Sequence, residues 1–92
     1  MLQLIMTYTQ TQVHEPVEVI AHFHSLKVDI LKFKWKNDVY KVDRVTNTWK
    51  IPNGDGIFTR FIVICEAKGV LCELSLSHTD LKWELIQYDD LV

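Results

Sequence analysis

Two histidines separated by one residue, His22 and His24, have the spacing in this sequence that most directly suggests chemistry. Residues i and i+2 of a β-strand lie on the same face, so a strand here would present both imidazoles together. Zinc sites use such pairs with a third ligand, for which His14, His78 and Glu18 are the candidates. None of the three stands at a diagnostic spacing. We therefore interpret the pair as an exposed polar strand edge, with a metal site as the alternative.

The two cysteines, Cys65 and Cys72, are predicted to face each other across a hairpin that turns at Lys68-Gly69. A non-hydrogen-bonded pair in that register brings the Cα atoms close enough for a disulfide. The N-terminus lacks the basic residue and the long apolar core of a secretory signal, which predicts a cytoplasmic location. In that reducing compartment we expect two buried free thiols, and a disulfide is the alternative.

The basic residues are concentrated in the middle of the chain. Residues 27–50 have a net charge of +4, whereas residues 1–26 have −2 and residues 51–92 have −4. Rows of cations of this kind bind phosphate groups. The candidate binding residues are Lys32, Lys34, Lys36, Lys41, Arg44 and Lys50, with Lys27 nearby. The alternative is that these lysines are solvated and protect a strand edge from aggregation.

Signatures of catalysis are missing from the sequence. It contains no G-x-S-x-G, no phosphate loop, no dinucleotide fingerprint and no helical H-E-x-x-H. Glu73 and Glu84, which could pair for acid–base work, fall on predicted solvent faces. We therefore expect a protein that is not an enzyme and that uses no cofactor.

A β-hairpin within residues 31–49 is predicted to position the basic residues. Asn37-Asp38 suits a tight primed turn, and a two-residue loop sets the register of both strands. The pairs are then Trp35 with Tyr40 and Phe33 with Val42 on a core face, and Lys34 with Lys41 and Lys32 with Asp43 on the opposite face. The aromatic residues therefore fill the core, while the lysines form a basic surface.

The rest of the chain also alternates as short strands do. Besides the two strands of the hairpin, the predicted strands are 2–8, 17–23, 57–66, 70–77 and 81–88, with a break at His14-Glu15-Pro16 and a β-bulge or strand start near Leu31. A helix over residues 17–26 is the alternative to the second strand. The predicted fold is all-β: one antiparallel meander of six or seven strands, curled into a barrel-like or strongly bent sheet that hides its edges.

Ninety-two residues, 48% of them hydrophobic, are enough for a single small domain. Residues 1–15 are predicted as an extra strand or an N-terminal arm, residues 16–88 as the core β domain and residues 89–92 as an acidic tail. No segment has the ~18 consecutive apolar residues that a membrane span needs.

The sequence also resembles a family of small bacterial domains of unknown function. The resemblance covers about residues 16–88 and is carried by Phe33-x-Trp35, Tyr40-x-Val42, Trp49 and Trp83-x-Leu85. It departs from the family at Asn37-Asp38, where a glycine followed by a basic residue is usual. Members of that family accompany translesion-type DNA polymerases, so the resemblance implies a partner that processes DNA. It implies no catalytic activity.

Two functions follow as hypotheses. The first is a non-enzymatic binding module that contacts nucleic acid or a DNA-processing machine through the basic hairpin 31–45. The second is a protein–protein or self-association module, a homodimer for example, that uses the apolar strand Leu2–Tyr8 as an exposed edge. Neither hypothesis involves a membrane or a small-molecule substrate.

Overall fold

A computed structural model describes residues 10–54 and 56–91, and these residues form eight antiparallel strands. The strands are β1 (Thr11–Pro16), β2 (Glu18–His24), β3 (Lys27–Trp35), β4 (Asp38–Lys41), β5 (Arg44–Asn53), β6 (Gly56–Cys65), β7 (Val70–Ser77) and β8 (Trp83–Asp90). A single 3-10 turn, Glu66–Lys68, connects β6 to β7. The all-β prediction is confirmed, with eight strands in place of six or seven. Residues 17–26 contain a strand and not the alternative helix.

The strands form two sheets that pack face to face. One sheet has five strands in the order β1-β8-β7-β6-β5, and the other has three in the order β2-β3-β4. The prediction of a single sheet curled into a barrel is wrong for the described residues. The chain changes sheets at Val42-Asp43: the Val42 amide donates to the Leu31 carbonyl, while the Asp43 amide donates to the Ile64 carbonyl. Strands that switch sheets in this way make the corners of β-sandwiches.

The hairpin of β3 and β4 turns at Lys36-Asn37, one residue before the predicted turn. Both residues have positive φ, 52° and 65°, as a type I′ turn requires. The observed pairs are Trp35 with Asp38, Lys34 with Val39, Phe33 with Tyr40 and Lys32 with Lys41, so the predicted register is wrong by two positions. The observed register stacks the Phe33 and Tyr40 rings with centroids 4.9 Å apart. Because side chains alternate with a period of two, every residue keeps its predicted face.

The hairpin of β6 and β7 has a four-residue connection in place of the predicted two. The 3-10 turn ends at Gly69, whose φ of 67° lets its amide donate to the Glu66 carbonyl. Cys65 therefore pairs with Val70, and the predicted pairing of Cys65 with Cys72 is wrong. Both cysteines are buried free thiols.

The first described strand occupies a segment predicted to be a break. β1 pairs with β8 at the edge of the larger sheet, with an irregularity around His14, whose φ is 55°. An edge strand tolerates polar residues and also Pro16, which lacks an amide donor. The predicted strand Leu2–Tyr8 lies outside the described residues. At the other end of the chain, β8 continues to Asp90, so the first two residues of the predicted tail belong to the sheet.

The core lies between the two sheets. Ile30 and Phe33 of the smaller sheet, with Val42 where the chain changes sheets, pack against residues of the larger sheet, which are Phe61, Val63, Cys65, Cys72, Leu74, Leu76 and Leu85. The predicted bulge is confirmed, because Leu31 is skipped in the pairing of β2 with β3. The bulge keeps Ile30 and Phe33 on the same inner face although they are three positions apart, an odd number that would otherwise place them on opposite faces.

The outer face of the larger sheet is partly covered by its own side chains. Glu73, predicted to face solvent, is 7% exposed because the neighbouring strands flank it on both sides. The Arg60 Nη1 donates to Glu73 Oε2 over 2.6 Å, and the Gln87 Nε2 donates to Glu73 Oε1 over 2.8 Å. A carboxylate with both oxygens bonded in this way supports the sheet and is not free for acid–base work.

Within residues 10–54 and 56–91 there is no helix long and apolar enough to cross a membrane.

Candidate binding cleft and basic face

The smaller sheet does not cover the whole inner face of the larger one, and an open cleft of about 980 Å³ lies between them. Its upper wall is the flap, which we define as residues 21–30, the part of the β2–β3 hairpin beyond the Leu31 bulge. Its floor is formed by β5, β6 and β7. The apolar lining residues are Phe23, Leu26, Val28, Ile30, Leu31, Val42, Val45, Phe61, Leu76 and Leu81. Small-molecule sites in proteins typically measure 300–1,000 Å³.

Exposed apolar side chains gather around this cleft. Phe23 is 62% exposed, Leu81 is 72% exposed, and Leu26 at the tip of the flap is fully exposed. Leu31 is exposed as well and also lines the cleft. Single exposed apolar residues are ordinary, but a group of them beside a cavity is typical of an interaction site.

One end of the cleft is polar. Lys50 and Thr59 lie directly opposite each other on β5 and β6, and Thr59 is 7% exposed. The Thr59 Oγ1 lies 2.6 Å from His78 Nε2. The His78 backbone amide donates to the Ile57 carbonyl, which fixes the backbone of His78 beside the start of β6. The cleft thus combines an ammonium group, a hydroxyl and an imidazole in one region.

The pair of Thr59 and His78 does not make a catalytic triad. A hydroxyl nucleophile needs a base that is itself oriented by a third group. Within the described part of the chain, the only side chain bonded to His78 is Thr59. The arrangement can bind an anion, but it lacks the group that would fix His78 as a general base.

The other charges around the cleft are already partnered. Arg44 Nη1 lies 3.1 Å from Glu66 Oε2, and Asp43 Oδ2 accepts a hydrogen bond from the Glu66 backbone amide. The bond from His24 lowers the pKa of Asp29, which also lies at the cleft. Among residues 10–54 and 56–91, no ion pair engages Lys27 or Lys50. Lys50 is therefore a cation of the cleft that no described carboxylate neutralises, whereas the charge of Lys27 helps to lower the pKa of Asp29.

The candidate binding residues predicted from sequence lie in three places. Lys32, Lys34 and Lys41 are exposed on the outer face of the smaller sheet, which we call the basic face. Lys36 is in the turn, with its Nζ 4.9 Å from the centre of the Trp35 ring. Arg44 and Lys50 belong to β5 and line the cleft.

The basic face carries an unfavourable pair. Lys32 and Lys41 lie directly opposite each other on neighbouring strands, and like charges in that position destabilise a sheet. In the described residues neither Lys32 nor Lys41 has an ion-pair partner. Lys34, the third lysine of this face, has Glu18 as its cross-strand neighbour. No described aromatic side chain lies on this face, because Phe33, Trp35 and Tyr40 pack inward.

The histidine pair lies on the outer face of the flap. His22 and His24 are exposed, and their rings stack with centroids 4.8 Å apart. The third ligand candidates predicted from sequence are elsewhere: His14 bonds Gln12, and His78 bonds Thr59. The side chain that joins the pair is Asp29, directly across from His22 on β3. Only the strand register could identify Asp29, since His22-to-Asp29 is not a metal-binding spacing.

Sequence reasoning missed the cleft. Its lining residues come from the flap and from strands β3, β5, β6 and β7, so no local motif marks it. The one available signal was the change of parity near Leu31, which predicted a β-bulge or a strand start there. Comparison with protein-family models, with curated proteins and with solved structures finds no match, so the function of the cleft is inferred from its own residues.

Proposed function

We propose that this protein is a non-enzymatic binding module that holds an amphipathic monocarboxylate, such as a medium-chain fatty acid, in the cleft between its two sheets. One observation carries the proposal. A cavity with apolar walls ends at Lys50, Thr59 and His78, which together suit an anionic head group.

The walls favour an apolar body for the ligand. Val28, Ile30 and Phe61 line the cleft from opposite sheets, so an alkyl chain between them would lose its contact with water on both sides. Transfer of each CH₂ group from water to such a site is worth about 0.8 kcal/mol. The exposed Phe23 and Leu26 would be partly covered at the same time.

The polar end favours a carboxylate as the head group. Lys50 supplies a positive charge that no described carboxylate neutralises. The bonded pair of Thr59 and His78 supplies one further polar hydrogen, from the hydroxyl or from the imidazole according to the histidine tautomer. Hydrogen bonds between a charged group and its partner are worth about 1.5–3 kcal/mol. A ligand with an alcohol in place of the carboxylate would lose the contribution of Lys50 to the binding free energy and keep the contribution of the apolar walls.

The test is isothermal titration calorimetry of the full chain with dodecanoate and with dodecanol, each below its aggregation limit. We expect one dodecanoate per chain. Lys50→Gln should weaken dodecanoate binding about tenfold, which corresponds to roughly 1.4 kcal/mol, and leave dodecanol binding unchanged. Phe23→Ser should weaken the binding of both compounds.

Lys34→Gln, which removes the same charge from the outer face, is the matched control and should bind dodecanoate as the parent chain does. If Lys34→Gln and Lys50→Gln weakened dodecanoate binding equally, the effect would come from the net charge of the protein, and the proposed site would be contradicted. Absence of any dodecanoate binding would refute the proposal outright.

A second candidate function is contact with the phosphate backbone of nucleic acid through the basic face. The observation that favours it is the opposed pair of Lys32 and Lys41, whose repulsion a bound phosphate would relieve. Binding of this kind acts through counterion release and weakens steeply as salt rises.

Fluorescence anisotropy with a labelled single strand and a labelled duplex, each at two salt concentrations, tests this second function. Replacing Lys32 and Lys41 by Gln should weaken binding to all sequences alike and lower the salt slope by nearly two. The control is a chain with Lys50 and Lys82 replaced by Gln, which has the same net charge. If neither probe binds at low salt, the basic face protects a strand edge and has no part in binding nucleic acid.

A further inference from the structure

The outer face of the flap carries a second cluster of groups, of which only Asp29 also borders the cleft. His22 and His24 lie on β2, and Asp29 lies on β3 directly opposite His22. One ligand atom from each of the three residues can be chosen so that all lie within 4.8 Å of one another. His24 Nε2 is already 2.6 Å from Asp29 Oδ2.

The geometry points to a zinc site: we propose that His22, His24 and Asp29 bind one Zn²⁺ ion, with a fourth position open to water or to a ligand from a partner. Zinc in sites with an open position typically has three protein ligands drawn from His, Cys, Asp and Glu. Tetrahedral coordination at a Zn–N distance of about 2.0–2.1 Å places neighbouring ligand atoms roughly 3.4 Å apart.

The strand pairing holds these ligands in place. His22 pairs with Asp29, Phe23 with Val28 and His24 with Lys27, so the register is continuous through the cluster. Side chains at positions i and i+2 share a face of the strand, and cross-strand neighbours lie about 4.5–5.5 Å apart at Cβ. All three side chains are exposed and therefore free to rotate toward a common ion while the strands stay paired.

The chemistry of the three groups suits zinc better than the harder cations. Imidazole nitrogens are preferred by zinc, copper and nickel, whereas Mg²⁺ and Ca²⁺ are bound almost entirely by oxygen. Zinc bound here would also replace the direct bond between His24 and Asp29 with a bond from each residue to the metal. Both side chains are exposed, so this exchange leaves the core unchanged. Bridging β2 to β3 close to the tip would stabilise the flap against separation of its strands.

The experiment is a Zn²⁺ titration of the chelator-treated full chain at pH 7.5, in competition with a chromogenic chelator. We expect one Zn²⁺ per chain and a rise in melting temperature on binding, because a metal that binds only the folded chain stabilises it. His22→Ala, His24→Ala and Asp29→Asn should each lower the affinity at least tenfold and abolish the thermal shift.

His14→Ala and His78→Ala are matched controls, since each removes one imidazole outside the cluster. They should keep both the stoichiometry and the affinity of the parent chain. All five variants alter one side chain each, and their melting curves in the absence of metal report whether they fold. The proposal fails if the parent chain does not bind Zn²⁺, or if His22→Ala and His24→Ala bind it as tightly as the two controls.

Discussion

Trp35 connects three elements of the fold through one half-buried side chain. Its ring packs against Tyr40 on β4 and Tyr88 on β8, with ring centroids 6.1 and 5.8 Å apart. Its Nε1 donates to Glu15 Oε1 on β1 over 2.9 Å. Since β3 and β4 belong to one sheet and β1 and β8 to the other, Trp35 links the two sheets at the end of the core opposite the cleft.

Removal of Trp35 should therefore be costly. Trp35→Ala is expected to lower the free energy of unfolding by about 3–5 kcal/mol, the usual range for a packed aromatic. Trp35→Phe keeps most of the packing, loses the bond to Glu15 and should cost roughly 1 kcal/mol. Urea denaturation followed by circular dichroism measures both changes.

Trp49→Ala is the control for tryptophan content, because Trp49 is 38% exposed on the outer face of the larger sheet. It should cost clearly less than Trp35→Ala. An unchanged unfolding curve for Trp35→Ala would show that this residue is not part of the core.

Cys72 makes the free energy of unfolding depend on pH in the alkaline range. Its hydrogen bond with Cys65 and its burial both raise the pKa of the Cys72 thiol, whereas a thiol in the unfolded chain titrates near 8.5. The folded state therefore keeps a proton that the unfolded state releases. This contribution to stability is complete below about pH 8 and is lost as the pH rises above 8.5.

The free energy of unfolding should accordingly fall between pH 8 and pH 9.5, by up to about 1.4 kcal/mol per pH unit. Cys72→Ala leaves a cavity and should be less stable at every pH, but with a shallower dependence on pH. Parallel curves for the two proteins would mean that Cys72 is not the group responsible.

At the scale of elements, the turn of the β3–β4 hairpin shows how one residue changes a register. Asn37 is the second central residue of the type I′ turn, with a φ of 65°. Glycine is preferred at that position, because it adopts positive φ without steric cost. Asp38 is the first residue of β4 and pairs with Trp35, so its backbone has the extended conformation of a strand.

Substitution by glycine at these two adjacent positions should therefore have opposite effects. Asn37→Gly should raise the free energy of unfolding by about 0.5 kcal/mol. Asp38→Gly should lower it by roughly 0.5–1 kcal/mol, since glycine weakens a strand. Thermal denaturation of the two variants and the parent chain measures the difference. Stabilisation by Asp38→Gly would instead favour a turn at Asn37-Asp38.

The flap is the element on which both proposals depend. Its inner face, with Phe23, Val28 and Ile30, forms a wall of the cleft, and its outer face carries the proposed zinc ligands. The Leu31 bulge separates this part of the hairpin from the part that packs into the core. Zinc bound on the outer face of the flap would therefore stabilise the same element that a ligand in the cleft contacts on its inner face.

On the scale of the whole molecule, the two sheets share a single core. Phe33, 1% exposed, comes from the smaller sheet and packs in the same cluster as Val63 and Leu74 of the larger one. Neither sheet could bury its apolar face without the other. We therefore expect the described strands to unfold as one cooperative unit.

This expectation is tested by urea denaturation followed with two signals, far-ultraviolet circular dichroism for the sheets and tryptophan fluorescence for the region around Trp35. The two transitions should coincide, and Phe33→Ala should shift both equally, by about 3–5 kcal/mol. Separate midpoints would show that the two sheets fold independently.

The amino-acid sequence was sufficient to predict the strand class, the face of each residue in the β3–β4 hairpin and an irregularity near Leu31. These features depend on alternation along the chain, which has a period of two and is read within a few residues. For that reason the inward orientation of Phe33, Trp35 and Tyr40 was predicted correctly although the register was wrong by two positions.

The turn position, the two-sheet arrangement and the sites could not be predicted from the sequence, because they depend on strand pairing and packing. The alternation pattern is unchanged when a register moves by two, so it could not distinguish Lys36-Asn37 from Asn37-Asp38. The pairing of β1 with β8 joins residues 68 to 77 positions apart, and no local pattern encodes such a contact. The cleft and the His22–His24–Asp29 cluster arise from strand pairing and packing, because the residues that meet there belong to different strands.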